Sequence, residues 1–223
     1  MCIIVYKPKG KKLPDIDILE TCYENNPDGA GLMYKRKEFI NINKGFMTWK
    51  DFLNVHRSYN FTKDDTFALH FRVATHGNID KKTCHPFPVS DKISDLQSYK
   101  FKTKFAIMHN GIISLEDEND ELSDSQLFVK EILSGIKPKE IYTNKYIQNL
   151  IELASKGSKL FLWHIDYGII ITGGWKVDKD IYYSNDSYKP YINLSKWNKL
   201  TKTFKKEYEC DDVLDCYDYM NKI

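Results

Sequence analysis

Residues 67–77 read FALHFRVATHG, and this stretch shows the clearest strand pattern in the chain. Side chains of a β-strand alternate between its two faces. One face here is apolar or β-branched, and the other carries both histidines and the arginine, in the order His70, Arg72, Ala74 and His76. The alternation predicts a strand over residues 67–76 with one face rich in polar groups.

Arg72 has the most restricted choice of partner on that face. An arginine that faces a protein interior is costly to bury without an anion, and its guanidinium fork suits a carboxylate held through two hydrogen bonds. The α-carboxylate of a substrate fits this need, and so does an Asp or Glu within the chain. The segment by itself leaves both partners open.

The other elements follow from periodicity and turn residues. Further predicted strands cover residues 2–6, 31–34, 39–42, 105–109, 160–165 and 169–172. Predicted helices cover residues 15–24, 49–56, 124–133, 145–154 and 211–221. Because no repeat, long linker or low-complexity block divides the chain, we predict one α+β domain over residues 1–223. Its motifs lie within residues 1–175, and residues 176–223 form an extension of unclear role, in which residues 182–185 are a candidate to close the edge of a sheet near the site.

The composition excludes several classes of function. The chain has 223 residues, of which 42% are hydrophobic and 29% are charged, and its net charge is +2. These values predict a folded globular protein with no nucleic-acid partner. No apolar run approaches the ~20 residues of a membrane span, and no signal peptide is recognisable. The five cysteines are widely spaced, which predicts free thiols and a cytoplasmic location without membrane association.

Cys2 is the first candidate for chemistry, because a small second residue generally permits removal of the initiator Met1. Cys2 would then carry a thiol and a free α-amine, whose unperturbed pKa values lie near ~8.5 and ~7.7–8.0. A nucleophile and its base would belong to one residue. The alternative is a cysteine without catalytic meaning, and Cys2 alone does not distinguish the two.

Two further segments carry polar groups at the ends of predicted elements. Asn110 and Gly111 follow the strand 105–109, where an amide side chain and a backbone N–H can together stabilise an oxyanion. The same dipeptide is also a common hairpin turn. Asp124 opens the helix 124–133, where it or Ser123 can act as N-cap, or where Asp124 can bind an ammonium group.

A metal site competes for the histidines. The candidate ligands lie in one part of the chain, namely His70, His76, Cys84, His85 and His109. Their spacing matches no standard zinc pattern, and the chain has no CxxC pair. We therefore predict neither a metal nor a cofactor.

Together, these segments resemble the class II glutamine amidotransferases, which are N-terminal nucleophile hydrolases. The similar segments occur in the family's order: Met1-Cys2, Asn26–Gly31 (NPDGAG), His70–Gly77 (HFRVATHG), Cys84–Phe87 (CHPF), His109–Ile113 (HNGII) and Asp124. The third segment matches the family's His-x-Arg-x-Ala-Thr-His-Gly most closely. The resemblance covers roughly residues 1–175.

The resemblance implies a four-layered αββα sandwich and a glutaminase reaction. The Cys2 thiol would attack the side-chain amide of glutamine, with the Cys2 α-amine acting first as base and then as acid. Asn110 Nδ2 and the Gly111 N–H would hold the oxyanion. The products would be ammonia and, after hydrolysis of a γ-glutamyl thioester, glutamate.

The resemblance also implies a binding site for the amino-acid end of glutamine. Arg72 would bind the α-carboxylate and Asp124 the α-ammonium, while Thr75 and His76 would line the same pocket. Retention of both charged residues favours an α-amino acid substrate.

Two residues depart from the family pattern. Ile3 stands where the family usually has Gly directly after the nucleophile, so it is a candidate to crowd Cys2. Val73 stands where synthase members have Trp, so the covering loop is expected to differ.

The residues after position 175 are too few for a synthase domain, which is typical of stand-alone proteins such as those in phage genomes. A separate synthase subunit would then accept the ammonia, or the substrate would be another γ-glutamyl or amide compound. A third alternative is a non-catalytic binding or inhibitory module that keeps the pocket, which Ile3 alone supports.

Overall fold

The computed structural model describes residues 2–74, 79–115 and 121–190 of the chain. The strands found there are β1 (Ile3–Lys7), β2 (Ala30–Arg36), β3 (Phe39–Phe46), β4 (Phe67–Phe71), β5 (Phe87–Pro88), β6 (Lys100–Thr103), β7 (Phe105–Asn110), β8 (Lys159–His164), β9 (Gly168–Ile171), β10 (Lys176–Asp178) and β11 (Ile181–Tyr183). The α-helices found there are α1 (Ile16–Glu24), α2 (Trp49–Ser58), α3 (Ile93–Gln97), α4 (Asp124–Leu127), α5 (Pro138–Thr143) and α6 (Lys145–Ala154). All of these elements belong to one compact unit, Met1–Lys189.

The strands form two sheets in which neighbouring strands pair antiparallel. The larger sheet has seven strands in the order β10-β11-β1-β4-β2-β3-β6, and the smaller has four in the order β5-β7-β8-β9. Antiparallel sheets combined with separate helices make the protein α+β, which confirms the predicted class. No helix in the described part of the chain has the length and apolar character needed to cross a membrane.

Buried apolar side chains form three clusters. The first joins the larger sheet to α1 and α2 and includes Ile3, Val5, Leu19, Phe52, Leu69 and Phe71. The second joins the two sheets and includes Ile4, Met33, Ala68, Met108, Phe161 and Trp163. The third joins the smaller sheet to the helices that follow β5 and includes Leu96, Ile107, Ile141, Ile151 and Leu162.

The alternation of β1 decides which way the N-terminal residues face. Ile3 and Val5 pack in the first cluster, whereas Ile4 packs in the second. Successive side chains of a strand point to opposite faces, so Cys2 continues the face of Ile4, toward the smaller sheet. Ile3 lies on the opposite face, and its fully buried side chain therefore does not crowd Cys2.

The predicted strand 67–76 is too long, because β4 ends at Phe71. Beyond that residue, Arg72 pairs with the Asp28–Gly29 loop: its N–H donates to Gly29 O at 2.8 Å, and its carbonyl accepts from Asp28 N at 2.8 Å. The Asp28 carboxylate also accepts from Ala74 N at 2.8 Å. Residues 72–74 therefore pair with a loop and not with a neighbouring strand. The predicted positions 75 and 76 lie outside the described residues.

The glycines of this loop are needed for close packing against the His-Pro segment. A Cβ on Gly31 would lie 2.0 Å from the carbonyl oxygen of His85, and one on Gly29 would lie 2.5 Å from Cys84 Sγ. The His85 carbonyl belongs to the backbone and cannot move far enough to admit a side chain. Position 31 therefore requires glycine. The similarity of residues 26–31 to a family loop thus has a local physical reason.

Most other predicted elements are present, and the structure adds α3, α5, β5 and β6, which were not predicted. Three further differences concern predicted segments. The predicted helix 124–133 is α-helical only over Asp124–Leu127, then widens to a π-helical turn at Phe128–Ile132 and tightens to a 3-10 turn at Leu133–Gly135. β10 and β11 extend the larger sheet with residues of the 176–223 segment, for which no strand was predicted. The predicted helix 211–221 lies outside the described residues.

His56 of α2 provides a test of the packing that is independent of any function. Its ring lies 5.5–5.8 Å from the ring centroids of Phe52, Phe61 and Phe67, and among the described residues neither ring nitrogen has a hydrogen-bond partner. Burial lowers the pKa of His56 to about 4. The folded state therefore resists protonation of this ring.

The unfolded chain binds a proton at His56 as the pH falls below ~6.5, and the folded protein does so only near its lowered pKa. The free energy of unfolding should therefore fall between these two pH values, by up to ~1.4 kcal/mol per pH unit. We expect His56→Phe to remove the contribution of His56, while the other buried histidines keep theirs, so that its free energy of unfolding gains about 2 kcal/mol relative to wild type between pH 7.5 and 5.0. Urea denaturation at both pH values measures this difference. An identical pH dependence in the two proteins would contradict the assignment.

Candidate functional site

Cys2 lies between two segments that hold it in place. Its thiol donates a hydrogen bond to the Val73 carbonyl, with Sγ and O 3.5 Å apart. Its own carbonyl accepts from Asn185 Nδ2 at 2.7 Å. The side chain is partly exposed. Cys2 is thus fixed by the continuation of β4 on one side and by the segment after β11 on the other.

The electrostatic environment keeps the Cys2 thiol protonated near neutral pH. Burial raises the pKa of the thiol, and the positive charge of Arg72 opposes that rise only in part. The thiolate is the reactive form of cysteine, so this residue needs a base that removes its proton at the moment of attack. Among the described residues, no imidazole or carboxylate is hydrogen-bonded to the thiol.

Arg72 lies beside the candidate nucleophile. Its side chain is only 8% exposed, and its backbone is held on both sides by the Asp28–Gly29 loop. Burial raises the pKa of Cys2 and of Cys84, and the positive charge of Arg72 opposes both rises in part. A buried cation is thereby placed near a nucleophilic sulfur, which suits the recognition of an anionic group on a substrate.

Asn110 is the last residue of β7 and is connected to β1 through one side chain. Its amide lies 2.8 Å from Ser184 Oγ, which in turn accepts a hydrogen bond from the Ile4 backbone N–H at 2.8 Å. Asn110 is 4% exposed. The smaller sheet thus presents an amide next to the N-terminal strand of the larger sheet.

Gly111 does not form a hairpin turn with Asn110. The strands paired with β7 are β5 and β8, and the next described element after β7 is α4. Gly111 has a φ of +149°, and a Cβ there would lie 2.8 Å from Ser158 Cα and 2.2 Å from Ser158 Oγ. Only glycine fits so close to Ser158. The residue after Asn110 therefore contributes its backbone N–H and no side chain.

Asp124 is not the cap of α4. Ser123 is the N-cap and forms a capping box with Gln126. The Asp124 carboxylate instead accepts from Ile113 N at 2.9 Å and from Ser125 N at 2.6 Å. Each carboxylate oxygen has two lone pairs, so an ammonium group can still bind. Asp124 makes no hydrogen bond with Cys2 in the described part of the chain.

Three histidines pack between these residues. The His70 and His85 ring centroids are 4.4 Å apart, and His70 Nε2 lies 3.1 Å from the His109 carbonyl oxygen. Burial lowers the pKa of His70 to about 3 and that of His109 to about 4, so both rings are neutral. No group of three His, Cys, Asp or Glu side chains suited to a metal ion occurs in residues 2–74, 79–115 and 121–190.

The structure adds site residues that the sequence did not single out. Ser184 and Asn185 contact Asn110, Ile4 and Cys2, although the chain separates them from β1 by almost its full described length. The sequence suggested only that residues 182–185 close a sheet edge near the site, and nothing local indicates the partners of Ser184 and Asn185. Thr75 and His76 lie outside the described residues.

No protein-family model matches the chain, and a search of curated proteins finds no match.

Proposed function

We propose that the protein is a glutamine amidotransferase-type hydrolase whose nucleophile is Cys2, exposed as the first residue by removal of Met1. One observation carries the proposal: the Cys2 thiol donates to the carbonyl of Val73, the residue after Arg72, while Asn110 is tied to the same end of β1 through Ser184. The proposal assigns to these three side chains the roles of nucleophile, cation for a substrate carboxylate and oxyanion donor. They come from three separate parts of the chain.

The first half of the reaction forms a γ-glutamyl thioester. The Cys2 α-amine takes the thiol proton, Sγ bonds to the amide carbon of glutamine, and the carbonyl electrons move onto oxygen. Asn110 and the Gly111 N–H stabilise that oxyanion, a charge that exists only near the transition state. As the oxyanion collapses, the C–N bond breaks and the α-ammonium gives its proton to the leaving ammonia.

The second half hydrolyses the thioester. The α-amine takes a proton from water, hydroxide adds to the thioester carbon, and the same donors hold the second oxyanion. The C–S bond then breaks, glutamate leaves, and the sulfur regains its proton. The raised pKa of the Cys2 thiol fits this scheme, because a base within the same residue supplies the activation that the surroundings do not.

The three buried clusters support a four-layered αββα sandwich for the whole motif-bearing region. Helices α1 and α2 share a cluster with the larger sheet, the two sheets share the second, and the smaller sheet shares the third with later helices. This order of contacts is the one that such a sandwich requires. The burial of Ile3 in the first cluster is consistent with an unobstructed Cys2.

The direct test is an assay of glutamate and ammonia released from glutamine by the purified protein. The proposal predicts equal amounts of both products and little turnover of asparagine, whose amide is one methylene nearer the α-carbon. Activity on a γ-glutamyl anilide without activity on glutamine would favour another γ-glutamyl substrate. A separate ammonia-accepting synthase subunit would be sought only after glutamine turnover is established.

Arg72→Ala should mainly weaken glutamine binding, because Arg72 is proposed to contact the α-carboxylate in the ground state as well as in the transition state. Loss of a charge-assisted hydrogen bond costs about 1.5–3 kcal/mol, so KM should rise by about 10- to 100-fold with kcat nearly unchanged. Steady-state kinetics with glutamine measures both constants.

Arg36→Ala is the matched control, because Arg36 pairs with Asp65 at the surface; its KM should equal that of wild type. 4-Aminobutanamide, which lacks the α-carboxylate, should be used equally poorly by wild type and Arg72→Ala. A large fall in kcat at unchanged KM would remove Arg72 from the carboxylate site.

A further inference from the structure

Ser184 is buried at the junction of the two sheets, and its backbone N–H, carbonyl and hydroxyl oxygen all form hydrogen bonds there. Its N–H donates to Ile4 O at 2.9 Å, and its carbonyl accepts from Lys159 Nζ. Its hydroxyl oxygen accepts from Ile4 N at 2.8 Å. Ser184 has no exposed surface, so its side chain is locked beside β1.

The hydroxyl also faces the Asn110 amide, where one donor and one acceptor are left without partners. With Nδ2 turned toward Ser184, the hydroxyl oxygen accepts two hydrogen bonds and its own proton has no acceptor among the described residues. Asn110 Oδ1 is buried and without a partner in the same set. A serine hydroxyl has one proton to donate, and a buried amide oxygen needs one.

Exchanging the amide oxygen and nitrogen of Asn110 resolves both deficits without moving any heavy atom. The two ends of an amide are distinguished only by their hydrogen-bonding network. In the exchanged orientation the Ser184 hydroxyl accepts from Ile4 N and donates to Asn110 Oδ1. Nδ2 then occupies the unpartnered position, where both of its N–H groups await an acceptor.

We infer that Ser184 is a positioning residue that orients Asn110 for oxyanion stabilisation: its hydroxyl holds Asn110 Oδ1, so that Nδ2 faces the reacting amide. This inference rests on the proposed function for its catalytic consequence. A donor left without a protein partner is expected at such a site, because it binds charge that develops only during the reaction. In the described part of the chain Ser184 forms no hydrogen bond with Cys2, and its proposed effect is exerted through Asn110.

The kinetic test is a double-mutant cycle on glutamine hydrolysis. Ser184→Ala should lower kcat by about tenfold at unchanged KM, which is less than the ~10²–10³-fold cost of losing an oxyanion donor. In an Asn110→Ala background it should lower kcat no further, because no amide remains to be oriented. Ser184→Thr, which keeps the hydroxyl, should recover activity. Ser155→Ala removes a buried hydroxyl that bonds the Ile151 carbonyl and should leave kcat unchanged.

Equal losses from Ser184→Ala in both backgrounds would indicate a general structural role and would overturn the inference. Neutron diffraction from the wild-type protein supplies an independent reading, because it locates deuterium and separates nitrogen from oxygen. The expected result is a deuteron on Ser184 Oγ that points at Asn110 Oδ1. A deuterated Asn110 amide nitrogen that donates to Ser184 Oγ would overturn the inference. A wild-type protein without glutaminase activity would overturn the proposed function, while diffraction would still decide which group Ser184 donates to.

Discussion

Cys2→Ala should abolish hydrolysis of glutamine while leaving the fold unchanged. The substitution removes the atom that forms the covalent intermediate, so the residual rate should be at the detection limit of the assay, a loss of at least ~10³-fold. Alanine is also small enough to permit removal of Met1, so the variant keeps the free α-amine. Glutamate release, with circular dichroism as the check on folding, measures the effect.

Cys22→Ala is the matched control for that experiment. Cys22 is a free thiol that is fully buried in the first cluster, on α1, and its removal should lower stability without changing kcat. Cys2→Ser should retain at most a small activity, because an alcohol is a weaker nucleophile than a thiol. Full activity in Cys2→Ala would exclude the thioester mechanism.

Asn110→Ala has the second-largest expected effect. Removing one oxyanion donor typically lowers kcat by about 10²–10³-fold, and the KM for glutamine should change little because the lost contact forms in the transition state. The variant also loses the link between Ser184 and β7, so thermal unfolding must be measured beside the kinetics.

Asn43→Ala separates the catalytic effect from the loss of a buried amide. Asn43 is 6% exposed and donates to the Tyr59 hydroxyl, within the β3 and α2 part of the fold. Its replacement should lower stability to a comparable degree and leave kcat at the wild-type value. If Asn110→Ala behaves like Asn43→Ala in the assay, Asn110 is not an oxyanion donor.

The elements with strong local signals were predictable from the sequence. The helix over residues 145–154 and the strands over residues 160–165 and 169–172 were predicted to within one residue of their observed bounds, since apolar periodicity and turn residues determine them. The alternation in residues 67–71 correctly separated Leu69 and Phe71 from His70. Its extension over residues 72–74 was wrong, because Arg72 pairs there with the Asp28–Gly29 loop.

The tertiary contacts of the site were not predictable in the same way. Cys2, Arg72 and Asn110 were singled out by residue type and order, but their grouping depends on β1, β4 and β7 lying in adjacent parts of two sheets. Ser184 and Asn185 have no local feature that indicates Asn110 or Cys2 as partners. Such contacts arise from sheet order, which a single sequence does not specify.

The arrangement around β1 explains why an isoleucine can follow the proposed nucleophile. A strand alternates its side chains, so the residue after Cys2 faces α1 and α2, where a large apolar side chain gains stability from burial. A glycine there would give up that burial, which is worth roughly 1.5–3 kcal/mol for a fully buried aliphatic side chain. We expect the isoleucine to serve stability and the Cys2 face to remain accessible.

The measurement that tests the central claim most directly is intact-protein mass spectrometry before and after brief treatment with 6-diazo-5-oxo-L-norleucine, a reactive glutamine analogue. The proposal predicts an untreated mass that lacks Met1 and, after treatment, a single adduct that maps to Cys2 and is absent from Cys2→Ala. An excess of glutamine should slow the labelling, and Arg72→Ala should require more reagent. A protein that retains Met1 and takes up no label would contradict the account, since a blocked amine cannot act as the base.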